Sequence, residues 1–227
     1  MTGLPFITFE GSEGCGKSTQ VKRLAGRLDK LGIPFVLTRE PGGTAIGESI
    51  RELLQFAPQS AAMRPETEVL LFEASRSQLV REVIRPALDR GLCVIADRFF
   101  DSTTVYQGAA RMLDEKFVRQ LNAFAVGDCV PDVTFILDVD VTTARSRMQG
   151  PRRPDRMEQE SIEFYERVRA GYQELATREP KRIVLLDGSK STDKIENEIW
   201  EALLSRLPGL QSKIENQCQS GSDKSKM

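Results

Sequence analysis

The sequence predicts an α/β fold in which a doubly wound, parallel, five-stranded sheet carries helices on both faces. Short apolar runs rich in β-branched residues alternate along the chain with long amphipathic stretches. Each short run is almost continuously apolar, which is typical of parallel strands buried on both faces. Strands that alternate with helices form right-handed βαβ units, so the pattern predicts one wound sheet.

The predicted strands and helices follow one another in strict order, without an internal repeat. The strands are Phe6–Phe9, Phe35–Thr38, Cys93–Ala96, Val133–Val139 and Ile183–Leu186. The helices are Lys17–Leu31, Ile46–Phe56, Glu66–Leu88, Glu115–Phe124, Thr142–Gln149, Glu158–Ala176 and Thr192–Leu207. A length of 227 residues suits one compact domain, which we place at residues 1–210. Residues 211–227 are rich in Ser, Lys and Gln, and we expect a disordered tail there.

Composition narrows both the chemistry and the partners. The formal net charge is −1, so no global field would attract nucleic acid or a membrane surface. No segment resembles a signal peptide or is long enough to span a bilayer, and we expect a cytoplasmic enzyme. The chain contains no His, which excludes His-based triads and His zinc sites. The four Cys are far apart, and we expect Cys93 and Cys129 to be buried thiols.

A phosphate-binding loop follows the first predicted strand. Residues 11–18 read GSEGCGKS and match G-x-x-x-x-G-K-[ST] between a strand and a helix, as a P-loop requires. Glycines let backbone N–H groups turn towards phosphate, and the helix N-terminus adds its positive dipole end. Lys17 should reach the transferring phosphate, and the Ser18 hydroxyl should bind Mg²⁺. The predicted ATP-phosphate site comprises Gly11, Ser12, Glu13, Gly14, Cys15, Gly16, Lys17, Ser18 and Thr19. The fold is therefore of the P-loop NTPase type; a turn that binds nothing is the alternative.

Charged residues follow two further predicted strands, at the edge where parallel strands form a ligand crevice. Asp97 and Arg98 end the third strand. The acid there can organise Mg²⁺ or its waters, and the guanidinium can grip phosphate, although a surface ion pair is an equal alternative. Residues 39–44 (REPGGT) end the second strand and lead to Arg51, unless they form only a connection.

Two groups of side chains could surround a nucleobase. Phe72 and Arg76 are four residues apart on one predicted helix face, where a ring can stack and a guanidinium can bond a carbonyl edge. Separately, each is better explained as a core ring or a solvated charge. The segment 102–107 (STTVYQ) begins a helix just after Arg98 and is dense in hydrogen-bonding groups. Helix capping would explain its first residues but not Tyr106 or Gln107.

A basic loop lies between two predicted helices. Residues 149–157 contain two prolines and lie among five arginines, which we interpret as a lid that closes over phosphates. A solvated loop is the alternative, but arginine is the residue suited to bidentate phosphate contacts. The five are Arg145, Arg147, Arg152, Arg153 and Arg156.

Together these residues resemble the thymidylate kinases, in order from Phe6 to about Leu207. The shared segments are the P-loop with an internal acid, TREPGGT at 38–44, the Phe72–Arg76 pair, Asp97-Arg98, the segment 102–108, and DRME at 155–158. The resemblance implies transfer of the γ-phosphate of ATP to dTMP, giving ADP and dTDP for dTTP synthesis, with Mg²⁺ as cofactor. It also implies a homodimer.

The resemblance also assigns roles by position. Glu13 is expected near the sugar hydroxyl of dTMP, Phe72 on the thymine face and Arg76 at its O4 edge. Tyr106 matches the ring beneath the deoxyribose, which would obstruct a 2′-hydroxyl. The implied dTMP site comprises Glu13, Glu40, Pro41, Arg51, Phe72, Arg76, Arg98, Ser102, Thr103, Tyr106 and Gln107. The implied metal ligands are Ser18 and Asp97.

The catalytic arginines are expected to come from the lid. The variable P-loop positions hold no arginine, which resembles the bacterial-type arrangement. The catalytic set is therefore Lys17, Arg98, Arg147, Arg152 and Arg153, with the choice among the last three left open. Phe99 departs from the family's usual polar residue after Asp-Arg. A kinase for another nucleoside monophosphate or for a deoxynucleoside, and a P-loop ATPase or switch, are the alternative functions.

Overall fold

The computed structural model describes residues 3–148 and 155–215 and contains the predicted parallel sheet. Its strands run in the spatial order β2-β3-β1-β4-β5, and every neighbouring pair is parallel. The strands are β1 (Phe6–Glu10), β2 (Phe35–Arg39), β3 (Cys93–Asp97), β4 (Val133–Asp138) and β5 (Ile183–Asp187). The central strands are buried, as predicted, whereas β2 and β5 are partly exposed because they lie at the two edges.

Helices cover both faces of the sheet, so the doubly wound α/β prediction is confirmed. The helices are α1 (Lys17–Lys30), α2 (Ala45–Gln55), α3 (Pro65–Leu79), α4 (Arg85–Asp89), α5 (Phe100–Thr103), α6 (Glu115–Val126), α7 (Val141–Met148), α8 (Ile162–Arg178) and α9 (Thr192–Arg206). Residues of α1 and α9 pack with Ile7 and Phe9 of β1 on one face. The opposite face packs Phe6 and Val94 against the α3–α4 region, and Ile136 against α8. Cys93 and Cys129 are buried free thiols, as predicted.

Every strand ends on a charged residue at the same edge of the sheet. In the register, Asp97 lies beside Phe9 on one side and Arg39 on the other, and Asp138 lies beside Asp187. The row comprises Glu10, Arg39, Asp97, Asp138 and Asp187. This carboxyl-terminal edge is where ligands bind in open α/β sheets.

The long helix predicted at Glu66–Leu88 is interrupted. It is α-helical to Leu79, widens to a π-helical turn over Val80–Ile84, and resumes as α4. Pro86 has no N–H for a helical hydrogen bond and its ring crowds the preceding turn, which accounts for the wider turn just before it. The helix that follows Arg98 also changes to a π-helical stretch, over Thr104–Ala110.

Two predicted boundaries need correction. The helix expected from Glu158 begins at Ile162, because the Ser161 hydroxyl caps it by accepting a hydrogen bond from the Phe164 N–H. The predicted disordered tail begins too early: residues 208–215 are helical, since buried Leu210 and partly buried Ile214 pack on the α1–α9 core. Residues 216–227 lie outside the described part of the chain. In the described part, no helix is long and apolar enough to cross a membrane.

Candidate active site

A cavity of about 300 Å³ opens at the carboxyl-terminal edge of the sheet. It lies between the phosphate loop, the end of β3, helix α3 and the segment 155–158. The structure brings most of the predicted site residues to its walls. They are Glu13, Gly14, Lys17, Ser18, Glu40, Pro41, Arg51, Phe72, Asp97, Arg98, Ser102, Thr103, Tyr106 and Gln107. Gly11, Ser12, Cys15, Gly16 and Thr19 do not line this cavity, but they form the rest of the loop and the first turn of α1.

The phosphate loop has a backbone that only glycine adopts readily. Gly14 has φ 75°, and a Cβ there would lie 2.2 Å from the backbone oxygen of Ala144. Gly16, with φ 101°, is the N-cap of α1 and offers no side-chain cap, so the first N–H groups of that helix remain available to an anion. The Lys17 ammonium donates to the carbonyls of Gly11 (3.1 Å) and Ser12 (2.7 Å).

Ser18 and Asp97, the predicted metal ligands, are adjacent. The Ser18 hydroxyl donates to Oδ2 of Asp97 at 2.7 Å, which joins α1 to the end of β3. Among residues 3–148 and 155–215, no group of three or more His, Cys, Asp or Glu side chains could hold a metal ion. One hydroxyl and one carboxylate nevertheless fit Mg²⁺, which usually takes few protein ligands and completes its shell with phosphate and water.

Arg98 occupies the floor of the cavity in an uncommon backbone conformation, with φ 72°. Its Nη1 donates to the Gly11 carbonyl at 2.9 Å, and its Nη2 donates to Oε1 of Glu13 at 2.8 Å. The guanidinium carbon also lies 5.2 Å from the centroid of the Tyr106 ring. Because only 15% of the side chain is exposed, this cation is presented from a fixed position.

The pKa values of two carboxylates around Arg98 are shifted in opposite directions. Burial alone would raise the pKa of Glu13, but the charges of Arg98 and Lys17 lower it, so Glu13 is ionised. Burial and the nearby Asp101 raise the pKa of Glu10, despite the charge of Arg98. Glu10 accepts hydrogen bonds from the Phe99 N–H, the Ser102 hydroxyl and the Tyr172 hydroxyl at 2.6–2.8 Å. Glu13 therefore balances the positive charge of Arg98 and Lys17, and Glu10 anchors the segment around Phe99 and Ser102 next to Arg98.

Arg76 lies behind the cavity wall, with only 1% of its side chain exposed, so it is not a solvated charge. Its Nε donates to Glu40 at 2.8 Å, and its Nη1 donates to Glu73 at 2.5 Å and to Thr103 at 3.0 Å. The remaining acceptors are the Asn122 side chain and the Phe99 carbonyl. Direct contact between Arg76 and a base stays a prediction, because it would require one of these hydrogen bonds to be exchanged.

The family model for thymidylate kinase matches residues 9–199, which include the loop, the strand ends and the cavity walls described above. The chain belongs to the thymidylate kinase family. It is 47% identical to a thymidylate kinase of Kosmotoga olearia over 88% of this chain and 95% of the relative. A thymidylate kinase of Geobacter sulfurreducens is 46% identical over 89% of this chain and 98% of that protein.

A solved structure agrees with this assignment. The crystal structure of thymidylate kinase from Ehrlichia chaffeensis superposes with a TM-score of 0.73 and 37% sequence identity. The match covers 89% of this chain and 99% of that one. The thymidylate kinase fold thus accounts for most of the chain.

The side chain of Phe99 does not line the cavity. The Phe99 ring is fully buried and packs edge-on against Phe6, with ring centroids 5.0 Å apart. Only its backbone serves the site, by donating to Glu10 and accepting from Arg76. A polar side chain is therefore not needed at this position to hold Arg98 in place.

The lid arginines are only partly described. Arg147 donates to the Gly188 carbonyl at 3.1 Å and does not line the cavity. Arg156 donates to the Leu54 carbonyl and pairs with Glu68 at 2.6 Å. Arg152 and Arg153 lie outside the described residues. The roles of Arg147, Arg152 and Arg153 in this thymidylate kinase family member stay predictions.

Sequence reasoning missed several site residues. Tyr172 comes from the distant helix α8, and only the fold brings it to Glu10 and Arg98. Gln55 and Arg39 line the cavity from α2 and β2. Arg39 belongs to the segment 39–44 that the sequence placed at this edge, but it was not assigned to the site although it ends a strand in the same way as Asp97. No local pattern indicates Tyr172 or Gln55.

Proposed function

We propose that this chain is a thymidylate kinase that transfers the γ-phosphate of ATP to dTMP. The observation that carries the proposal is the convergence of donor and acceptor groups in one cavity. Lys17 and Ser18 of the phosphate loop share its walls with Arg98, Phe72 and Tyr106. A site built only for ATP hydrolysis would not need an aromatic wall and a buried arginine opposite the loop.

The mechanism requires no covalent enzyme intermediate. An oxygen of the acceptor phosphate attacks the γ-phosphate in line, and the protein contributes position and positive charge. Arg98 holds the acceptor phosphate, with Arg51 at its side, while Lys17 and the N-terminus of α1 hold the donor phosphates. Ser18 and Asp97 would hold Mg²⁺, which would supply neutralising positive charge to the phosphates. The acceptor phosphate is already anionic near neutral pH, so no strong general base is required.

The acceptor nucleoside has a wall of its own. Phe72 would stack on thymine, and Thr103 and Gln107 would face its polar edge. Tyr106 would lie beneath the deoxyribose. Glu40 and Pro41 complete the wall next to α2, and Glu13 would meet the sugar hydroxyl. The lid arginines Arg147, Arg152 and Arg153 would stabilise the charge of the transferring phosphoryl group.

We also propose a cytoplasmic homodimer that supplies dTDP for dTTP synthesis. Membership of the family supports this proposal. Exposed apolar side chains on the neighbouring helices α3 and α6 support the dimer. Leu70 is 52% exposed, Phe117 44% and Phe124 77%. Sedimentation of the wild type beside Phe124→Asp tests the dimer, since a charge at an apolar interface should favour the monomer.

Coupled measurement of ADP release across dTMP, dUMP, dCMP, dAMP, dGMP and UMP tests the activity. We expect release to depend on an acceptor and to be fastest with dTMP. Preference for another monophosphate would change the assigned acceptor. ATP turnover that ignores all acceptors would support an ATPase or switch and contradict the proposal.

A further inference from the structure

Glu68 lies behind the acceptor wall and touches the side chain of Gln107. It belongs to α3, 1% of its side chain is exposed, and it is not among the cavity-lining residues. The Gln107 amide nitrogen donates to Oε1 of Glu68 at 2.7 Å. Gln107 itself lines the cavity and is almost fully buried. The Gln107 amide therefore lies between the cavity and a buried carboxylate, and its nitrogen faces that carboxylate.

Two arginines hold this carboxylate in its ionised form. Arg111 donates to Oε1 at 3.2 Å and to Oε2 at 3.1 Å, and Arg156 pairs with Oε2 at 2.6 Å. Burial would raise the pKa of Glu68, but Arg111 and Arg156 lower it. Arg111 is fixed in turn by Glu160 at 2.5 Å. An ionised carboxylate only accepts hydrogen bonds, so the group that Gln107 presents to it must be the NH₂.

We propose that Glu68 is a positioning residue that sets the amide orientation of Gln107 and thereby selects the base of the acceptor. This rests on the proposed dTMP kinase activity. With its NH₂ held by Glu68, Gln107 presents Oε1, an acceptor, to the cavity. No hydrogen bond from a described residue reaches that oxygen.

The neighbouring Thr103 has the opposite polarity. Its Oγ1 accepts a hydrogen bond from Arg76 at 3.0 Å, which leaves the hydroxyl hydrogen available to donate. The wall thus offers a donor from Thr103 and an acceptor from Gln107. Thymine and uracil present a complementary pair, a C4 carbonyl and an N3–H. Cytosine presents an amino group and an unprotonated N3. Its amino donor would face the donor of Thr103, and its N3 acceptor would face the acceptor of Gln107.

Dissociation constants measured by calorimetry for dTMP, dUMP and dCMP test this inference. We expect Glu68→Gln to narrow the preference for dTMP over dCMP by roughly tenfold, because the neutral side chain no longer dictates the orientation of Gln107. The dTMP-to-dUMP ratio should stay unchanged, since these bases share the polar edge. Glu160→Gln is the matched control, because it removes a neighbouring carboxylate that Gln107 does not touch, and its ratios should equal those of the wild type.

Glu68→Asp provides a second test should Glu68→Gln not fold. It keeps the negative charge facing Arg111 and Arg156 but withdraws the oxygen from Gln107 by one methylene. We expect the same narrowing of the dTMP-to-dCMP ratio. Equal weakening of all three ligands in the folded variants would overturn the inference and leave Glu68 with a purely structural role. A wild-type protein that does not phosphorylate dTMP would instead defeat the proposed function, independently of these binding ratios.

Discussion

Nη2 of Arg98 lies 2.8 Å from Oε1 of Glu13, which ties the end of β3 to the phosphate loop across the floor of the cavity. The other oxygen of Glu13 accepts from the Tyr106 hydroxyl at 2.6 Å. One carboxylate thus contacts both the residue proposed to hold the acceptor phosphate and the ring proposed to lie under the sugar. The two ends of the acceptor would be positioned by a single charged group.

Replacing Arg98 with Ala should raise the KM for dTMP by about tenfold or more, since a charge-assisted contact with the acceptor phosphate is lost. The KM for ATP should change less. Steady-state kinetics with each substrate varied in turn measures both values. Arg178→Ala removes a half-exposed guanidinium at the end of α8 and serves as control. An unchanged KM for dTMP in a folded Arg98→Ala protein would remove Arg98 from the acceptor site.

Lys17→Ala should lower kcat by about a hundredfold or more, because a charge contact with the transferring phosphoryl group disappears. The thermal unfolding temperature should change little, since the ammonium donates within its own loop, to the carbonyls of Gly11 and Ser12 and to Sγ of Cys15. Lys30→Ala, an exposed substitution in the last turn of the same helix, should leave kcat unchanged. Normal turnover by folded Lys17→Ala would contradict the assignment of the loop.

Joint replacement of Arg147, Arg152 and Arg153 by Ala should lower kcat strongly and weaken dTMP binding little. Groups that act on the charge of the transferring phosphoryl group stabilise the transition state more than the bound acceptor. Single-turnover rates together with dTMP dissociation constants separate these effects. If kcat survives the triple replacement, the segment is only a connecting loop.

Tyr106→Ala should narrow the preference for dTMP over its ribonucleotide counterpart, even as overall activity falls. Tyr106 is 4% exposed and lines the cavity, so its loss also removes core packing. The ratio of kcat/KM for the two acceptors distinguishes the roles, because destabilisation lowers both values equally. Tyr106→Phe keeps the ring and should keep the preference. An unchanged ratio in folded Tyr106→Ala would show that the ring does not exclude a 2′-hydroxyl.

The pKa of Glu40 predicts that the stability of the fold changes between pH 4.5 and pH 7. Burial raises it from 4.5 to about 7, although Arg76 opposes the shift. Arg76 does not fully offset the burial of Glu40, because its guanidinium is shared with Glu73. Burial lowers the pKa of Arg76, but the charges of Glu40 and Glu73 raise it. Between pH 4.5 and 7 the native state then binds more protons at Glu40 than the unfolded chain, so this group lowers stability as the pH rises.

Urea unfolding of the wild type and Glu40→Gln at pH 4 to 8 measures this effect. The unfolding free energy of Glu40→Gln relative to the wild type should rise with pH by up to roughly 3 kcal/mol, at 1.36 kcal/mol per pKa unit. Below pH 4.5 the contribution should be constant. A difference that stays flat across this interval would show that Glu40 does not change protonation there.

The sequence was sufficient where local chemistry decides structure. The phosphate loop, the strand end at Asp97-Arg98 and a helix in the segment 102–107 all follow from residue types at short spacing, and the structure places residues of each around one cavity. That helix begins two residues earlier than predicted, at Phe100. The sequence was insufficient where distant segments meet. Tyr172 reaches Glu10 only because α8 packs on the sheet, and Glu68 reaches Gln107 only because α3 lies beside the π-helical stretch.

The terminal helix shows a different reason for error. Residues 211–215 are polar except for Ile214 and lack an apolar pattern of their own, yet Leu210 and Ile214 pack against the core that α1 and α9 help to form. Tertiary packing can stabilise a short helix that local propensity would not. The interruption at Val80–Ile84 was in principle visible, because Pro86 stands inside the predicted helix.

The charged residue at the end of every strand has a consequence for folding fidelity. In a parallel sheet, side chains repeat with a period of two, so sliding a strand by two positions preserves its facing pattern and is otherwise a cheap error. Here such a slide would draw Asp97 or Asp138, each partly exposed, inward among apolar neighbours, where an unpaired charge is costly. The acids and the arginine at the ligand-binding edge of the sheet therefore also disfavour shifted strand registers, whether or not a nucleotide is bound.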